Sequence, residues 1–395
     1  VIKTVTINRE ALAVALKICI PIAAKSTRTQ SILLNVMRDG VTLEAIHDTT
    51  AVMYQLVAES NYTGCVMLSP KILKALQAEH GEQVLIQQAD DKTISVRIAD
   101  DRWEFPTEDP NDYSSANWSN DCVASVPAVE LLQALKFVEH AVDKENGSSR
   151  YALGGVYFEF HWGSKCLVQA TNGKQIALTQ ATLNAEGKAD KTGKRGIVVP
   201  LDCIKTIRTL CNQAELVEVF EVGEQIQFQA GGMRVVTKLL EGRFPNVKAT
   251  TCKGEPFAAI QSDVLQNAVK AAAVVADAQD SSVDLKFRKD GSPGMALDDP
   301  PFLHAMSVSP IGKSVGYGWC VMVIEDKQLT ISAELLLDSI KSLPEDLRLD
   351  LRTDDSEKLQ INCEHGTLVI AGMTRNEPKK PSVQDDSKPV PDPAA

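Results

Sequence analysis

One pattern occurs three times along this chain. Leu12-Ala13-Val14-Ala15-Leu16-Lys17, Leu131-Leu132-Gln133-Ala134-Leu135-Lys136 and Leu265-Gln266-Asn267-Ala268-Val269-Lys270 align without gaps. Each follows a short alternating segment and a helix-starting residue, Asn8, Pro127 or Ser262. A chain that repeats itself must build one unit several times over, so this constrains the fold more than any single motif. Each copy predicts a strand running into an amphipathic helix. Later in each copy a second helix start recurs, at Ser69-Pro70-Lys71, Pro200-Leu201-Asp202 and Ser332-Ala333-Glu334. Alternating strands follow: Gln83 to Ala89 with Thr93 to Ile98, Leu216 to Val222 with Gln225 to Ala230, and Leu347 to Arg352 with Lys358 to Cys363. A last strand closes each copy, at Arg102 to Phe105, Met233 to Leu240 and Thr367 to Ala371.

The reading is an α+β chain of three repeated units, each of two helices and a β-sheet majority, over 1–120, 121–251 and 252–376. A Pro-, Lys-, Asp- and Ser-rich tail, 377–395, is expected to be disordered. The 395 residues exceed what one ordinary core holds, which agrees with several domains. No apolar run approaches the roughly 20 residues needed to cross a bilayer, so no membrane partner is expected. Val1 to Asn8 alternates like a strand and lacks the regions of a signal peptide, which predicts a cytoplasmic protein. Nine cysteines at long spacings form no C-x-x-C pair, and H-E-x-x-H does not occur, so reduced thiols are expected, with no metal and no cofactor.

The formal net charge of −11 argues against a nucleic-acid partner unless the basic residues are gathered on one surface. At 100° per residue, the helix of Leu131, Leu135, Val138 and Val142 turns Gln133, Lys136, His140 and Lys144 outward. Lys17 and Lys270 stand at the same offset in their copies. The second helices add Lys71 and Lys74, then Lys205 and Arg208, then Lys341. Two readings stay open: cationic helix faces lining a concave wall against a polyanionic rod, or solubilising lysines that share their faces with Glu130, Asp202 and Asp338. Lysines without interleaved aromatics would touch phosphate and carry no sequence information.

Three further segments are specific. Arg150-Tyr151-Ala152-Leu153-Gly154-Gly155-Val156-Tyr157-Phe158-Glu159, Ala170-Thr171-Asn172-Gly173-Lys174-Gln175-Ile176-Ala177 and Thr237-Lys238-Leu239-Leu240-Glu241-Gly242-Arg243-Phe244-Pro245-Asn246 make the chain, over essentially 1–375, resemble the bacterial sliding clamps, the beta subunits of DNA polymerase III. The resemblance implies three clamp domains per chain and a head-to-tail homodimer closing a six-domain ring around double-stranded DNA. It further implies a non-catalytic processivity factor, nucleoid-associated in the cytoplasm. Its partners would be a clamp loader, and DNA polymerase and repair proteins that dock through short peptides. Carried over position by position, the peptide cleft would comprise Leu153, Thr171, Gly173, Lys174, Gln175, Ile176, Pro245, Val369, Ile370 and Met373; plain sheet core is the other reading of Leu153, Ile176, Val369 and Ile370.

The chain departs from the family at Asn172-Gly173-Lys174-Gln175, where Asp-Gly-His-Arg is common, in its tail beyond Arg375, and at Lys289 to Pro301. Two rival classes remain. An enzyme would use His47, His140, His161, His304 or His365 beside a Cys or Asp, but no spacing demands it. A repeat-built scaffold would bind proteins and never DNA.

Overall fold

The computed structural model describes residues 3–373 except 78–80, 89, 91, 146–150, 186–193, 277–280 and 290–299. The expected tail, 377–395, and most of Lys289 to Pro301 lie outside the described residues. The chain forms two compact units, one of residues 1–251 with 362–369 and one of 252–361 with 370–395.

Among the described residues there are six α-helices: α1 (Arg9–Ala23), α2 (Ile72–Ala75), α3 (Ala128–Val138), α4 (Leu201–Leu210), α5 (Ser262–Ala273) and α6 (Ala333–Ile340). They start where the repeat places them. The Asn8 side chain accepts from the Ala11 N–H at 3.0 Å and caps α1. The Ser332 hydroxyl does the same for α6, accepting from the Leu335 N–H at 3.4 Å. α2 is a single turn.

In the first unit, α1 buries Leu12, Ala15, Leu16 and Cys19 against strands Gly40–Ile46 and Thr50–Leu56. α3 buries Leu131, Ala134 and Leu135 against Gln175–Thr182, and α4 sets Cys203, Ile204 and Ile207 over Met233–Lys238. Each fully buried Leu or Ile contributes about 1.5–3 kcal/mol. The second unit repeats the scheme, with α5 laying Leu265, Ala268 and Ala272 on Phe302–Ser309 and Gly312–Trp319, and α6 packing on α5. The contact is close enough that a Cβ at Gly316 would fall 2.0 Å from the Ala268 carbonyl oxygen.

Strands Thr50–Leu56 of the first repeat and Met233–Lys238 of the second pair antiparallel, with Met233 opposite Tyr54 and Thr237 opposite Thr50. The pairing fuses two sheets into one of nine strands. At its centre the buried hydroxyls of Thr50 and Thr237 lie 3.1 Å apart, and the Tyr54 hydroxyl donates to Gln213 at 2.9 Å.

Two buried polar side chains hold the connecting segment across this joint. Gln227, fully buried, accepts from the Ser119 N–H and donates to the Ser119 carbonyl, both at 2.9 Å. Glu44 accepts from the Ala116 N–H at 2.7 Å, and Tyr113 donates to the Glu44 carbonyl at 3.1 Å. Burial raises the Glu44 carboxyl above its ordinary range, opposed by hydrogen bonds from Ala116, Trp118 and Ser115.

Gln227→Leu should strand both Ser119 backbone groups and cost about 1–3 kcal/mol in urea unfolding; a loss below ~0.5 kcal/mol would show that the segment is not held there. Because the Glu44 carboxyl is raised on folding, the stability it contributes is present below the ordinary Glu pKa and declines as pH rises through the folded value. Wild type should therefore lose ground to Glu44→Gln as pH rises above the ordinary Glu value. A pH-independent difference would contradict the assignment.

Candidate functional site

Of the basic residues expected on exposed helix faces, Lys17, Lys71, Lys74, Lys136, Lys205, Lys270 and Lys341 are exposed. Lys25, just past α1, bridges Asp202 at the start of α4 at 3.0 Å, so the C-terminal end of α1 lies beside the N-terminal end of α4. Acidic neighbours engage some of the cations. Arg208 is half-buried and reaches both Glu139 carboxylate oxygens, at 2.6 and 2.7 Å, and Lys341 pairs with Asp338.

Two expectations for this face are corrected. His140 is buried, because α3 ends at Val138 and continues as a 3-10 turn over Glu139–Ala141, whose tighter winding rotates the imidazole inward. Lys144 is exposed but lies in the loop beyond the helix, since the chain turns extended at Val142. A helix template run to residue 144 missed this change of winding.

Of the residues carried over to the cleft, Thr171 to Ile176 form a tight hairpin end. The Thr171 hydroxyl donates to the Gln175 carbonyl at 2.7 Å and accepts from Gly173 at 3.1 Å, while the Asn172 side chain accepts from Lys174 and Gln175, both at 3.0 Å. Gly173 sits at φ +86°, a conformation that favours glycine. Gly173 and Lys174 are exposed, and Leu153, Ile176 and Pro245 are partly exposed. Gln175, carried over to the cleft, is buried and donates through Nε2 to the His140 carbonyl at 3.1 Å. Val369 and Ile370 are buried in strand Gly366–Ile370, as a sheet-core reading has them. In the second unit Met373 is partly exposed and its N–H donates to the Thr330 carbonyl at 2.8 Å.

On the same unit runs a groove of about 840 Å³; Tyr157, Glu159, Leu239, Leu240 and Gly242 to Asn246 in its lining belong to the segments that carry the resemblance, and Pro245 to the carried-over cleft, whereas Gln169, Gly196 and Lys248 were not singled out. Its floor is the outward face of strands Gly155–His161, Lys165–Thr171 and Lys194–Pro200, and its wall is the segment 239–249. Phe244 stacks on Tyr157 with centroids 4.5 Å apart and rings within 2° of parallel. The Tyr157 hydroxyl reaches over Gly196, where a Cβ would meet it at 2.1 Å. Glu159 is buried in the floor, 2.7 Å from His161 Nε2 and 3.4 Å from Lys248 Nζ. Burial, and then the Glu159 charge, push the Tyr157 phenol up, so it stays protonated and can donate toward that carboxylate at 3.5 Å. The signal in the sequence was a polar residue interrupting apolar strands: Glu159 within Val156 to Phe160, and Gln169 within Cys166 to Ala170.

Residues 125–246 match the family described as DNA polymerase III beta subunit, central domain. A beta sliding clamp of Chlamydia pneumoniae is 30% identical over 122 residues, 31% of this chain and 31% of that protein. One of Caulobacter vibrioides is 25% identical over 204 residues, 50% of this chain and 53% of that protein. The matches thus span about a third to a half of the length of these curated relatives. Among solved structures, the DNA polymerase sliding clamp from Bacillus subtilis superposes with a TM-score of 0.82 at 17% identity, covering 95% of this chain and 100% of that one. The beta subunit from the DNA polymerase of Streptococcus pyogenes does so at 0.82 and 16%, covering 94% and 100%. At such identity the likeness establishes the fold. The resemblance to the bacterial DNA polymerase III beta subunits read from the motifs is borne out.

Gly196→Ala should drive the Tyr157 ring off Phe244 and cost about 1–3 kcal/mol of stability in urea unfolding, as overpacking does. An unchanged midpoint would show that the stack has room to spare.

Proposed function

We propose that this chain is a DNA sliding clamp: a non-catalytic subunit that pairs head to tail with a second copy, encircles duplex DNA in the cytoplasm, and tethers polymerase and repair proteins. The domains would be 1–120, 121–251 and 252–376. The observation that carries the reading is the coincidence of a beta-subunit central-domain match in 125–246 with a likeness to solved clamps over nearly the whole chain. The exposed lysines, Lys17, Lys71, Lys74, Lys136, Lys205, Lys270 and Lys341, support it, because such contacts hold phosphate without reading sequence.

The repeat itself supports a joint between copies. Within the chain, Thr50–Leu56 of the first repeat pairs with Met233–Lys238 of the second, and Gln175–Thr182 of the second neighbours Gly366–Ile370 of the third. The strands at corresponding positions that end their sheets are Asp101–Pro106 in the first repeat and Gly312–Trp319 in the third. An edge strand left bare is a template for another chain. Carrying the Thr237-to-Thr50 register over through the two hairpins sets Glu104 of one copy opposite Lys313 of the other, with Phe105 opposite the small Gly312 and Trp103 opposite Ser314. A heterologous joint of this kind closes into a ring when the rotation divides the circle.

Light scattering at micromolar concentration should give twice the chain mass; a monomer or a trimer would remove the six-domain ring. Lys313→Glu should weaken that dimer, and adding Glu104→Lys should restore it. Replacing Lys17, Lys136, Lys205 and Lys270 together by Ala should leave folding intact and reduce the log–log salt slope of DNA binding by about 0.9 for each lost phosphate contact. An unchanged slope would favour the scaffold that never touches DNA.

A further inference from the structure

Strand Gly312–Trp319 in the second unit has two unlike faces. Ser314, Gly316 and Gly318 lie against α5, where a Cβ on Gly316 would meet the Ala268 carbonyl oxygen and one on Gly318 the Val264 side chain. Alternation turns Val315, Tyr317 and Trp319 to the opposite face. Tyr317 is 66% exposed and Trp319 55%, and they are the two aromatic members of the large apolar side chains left exposed among the described residues. Both rings are braced from the neighbouring strand. His304 stacks on Tyr317 with centroids 5.1 Å apart, and Phe302 meets Trp319 edge-on at 6.5 Å. Fixed aromatic rings two residues apart make a surface of the kind on which proline-rich segments dock.

This face is also cationic. Lys286 lies opposite His304 on the next strand. Burial, and then the charges of Lys286 and Lys313, hold the His304 imidazole below its ordinary range, so it stacks uncharged at neutral pH. The surroundings therefore favour a ligand with negative charge beside its apolar groups.

The chain leaves the unit at the far edge of the same sheet. The strands run in the order Gly312–Trp319, Phe302–Ser309, Ser282–Arg288, Lys327–Ser332. Against the last of them Gly372 pairs with Ile331, and the Met373 N–H donates to the Thr330 carbonyl at 2.8 Å. Residues 374–395 follow, outside the described residues. They contain Pro389-Val390-Pro391-Asp392-Pro393, whose prolines favour the extended three-residue turn that aromatic surfaces recognise. From Asp385 onward three aspartates stand against one lysine, Lys388. The sixteen residues from Thr374 to Pro389, as a flexible chain, would have a root-mean-square span of roughly 20–24 Å. Met373 is four strand spacings from Gly312–Trp319, about 19 Å. A linker whose span matches the separation gives an effective concentration on the order of mM.

We propose that the solvent face of this sheet, at Tyr317 and Trp319, is the docking site of the chain's own segment Pro389-Val390-Pro391-Asp392-Pro393, with prolines on the two aromatic rings and Asp392 toward Lys286. Docked there, the segment covers an apolar surface beside the edge strand Gly312–Trp319, and another chain reaching that surface must displace it. The inference goes beyond the clamp reading and does not depend on it.

The test uses the full-length chain and a fluorescein-labelled peptide of residues 381–395. Pro389→Ala, Pro391→Ala and Pro393→Ala together should vacate the face, so the peptide should bind this variant at least tenfold more tightly than wild type, whose own segment competes. Adding Trp319→Ser to that variant should abolish binding with an unchanged melting temperature, and a peptide carrying Asp392→Lys should bind more weakly. In wild type, which needs no variant to fold, the Val390 amide resonance should lie away from its position in the free peptide. Equal peptide affinity for wild type and the proline variant, or no binding to either, would overturn the proposal. A Val390 resonance at its free-peptide position in wild type would do the same. A Val390 shift that grows with protein concentration would put the segment of one copy on another and overturn docking within one chain.

Discussion

The structure depends on how sheet edges are satisfied. A strand at the end of a sheet exposes backbone N–H and C=O groups that must find partners in protein or water. Here the first two repeats settle one such edge on each other, through the antiparallel pairing of Met233–Lys238 with Thr50–Leu56. The rest of that joint follows from this pairing: the Thr50 and Thr237 hydroxyls meet within it, α4 lies above it, and Gln227 and Glu44 fasten the connecting segment across it. Removing one buried partner would leave a polar group without water or protein, which is why the joint behaves as part of a core and not as a linker.

The same logic runs from fold to function. Helices laid on one face of a fused sheet bury their apolar stripes and leave the opposite stripe to solvent, and that stripe carries Lys17 and Lys205 in this unit. The other face of the second repeat is not plain surface: it is partly roofed by the 239–249 segment, leaving the groove floored by Tyr157, Glu159 and Gln169. The two faces differ in chemistry, one carrying exposed lysines among acidic neighbours and one apolar with a few polar groups, and the proposed function assigns them different partners.

Much of this was legible in the sequence because the repeat supplied three independent readings of each element. Strands Leu216–Val222, Gln225–Ala230 and Thr93–Ile98 fall where alternation put them, and Asn8 and Ser332 cap the helices they precede. What was not legible depended on local winding or on tertiary burial. His140 satisfies the outward stripe of an ideal helix, yet the 3-10 turn at Glu139–Ala141 buries it. Gln175 sits in a motif carried over to the peptide cleft, yet its side chain is buried and its amide is taken by the His140 carbonyl. Glu159 and the 239–246 wall lie in the quoted segments, but Gln169 and Lys248 join them only through strand register and tertiary contact, which no motif carries.

The central claim is topological: a closed ring holds DNA by enclosure and not by affinity. The most direct measurement is retention of the protein on a nicked circular duplex, after loading, through gel filtration at high salt, followed by cutting the circle once. The account predicts that the protein stays with the intact circle when salt has screened its phosphate contacts and is released when the ends are freed. Dissociation from the intact circle at the same rate as from the linear duplex would contradict it.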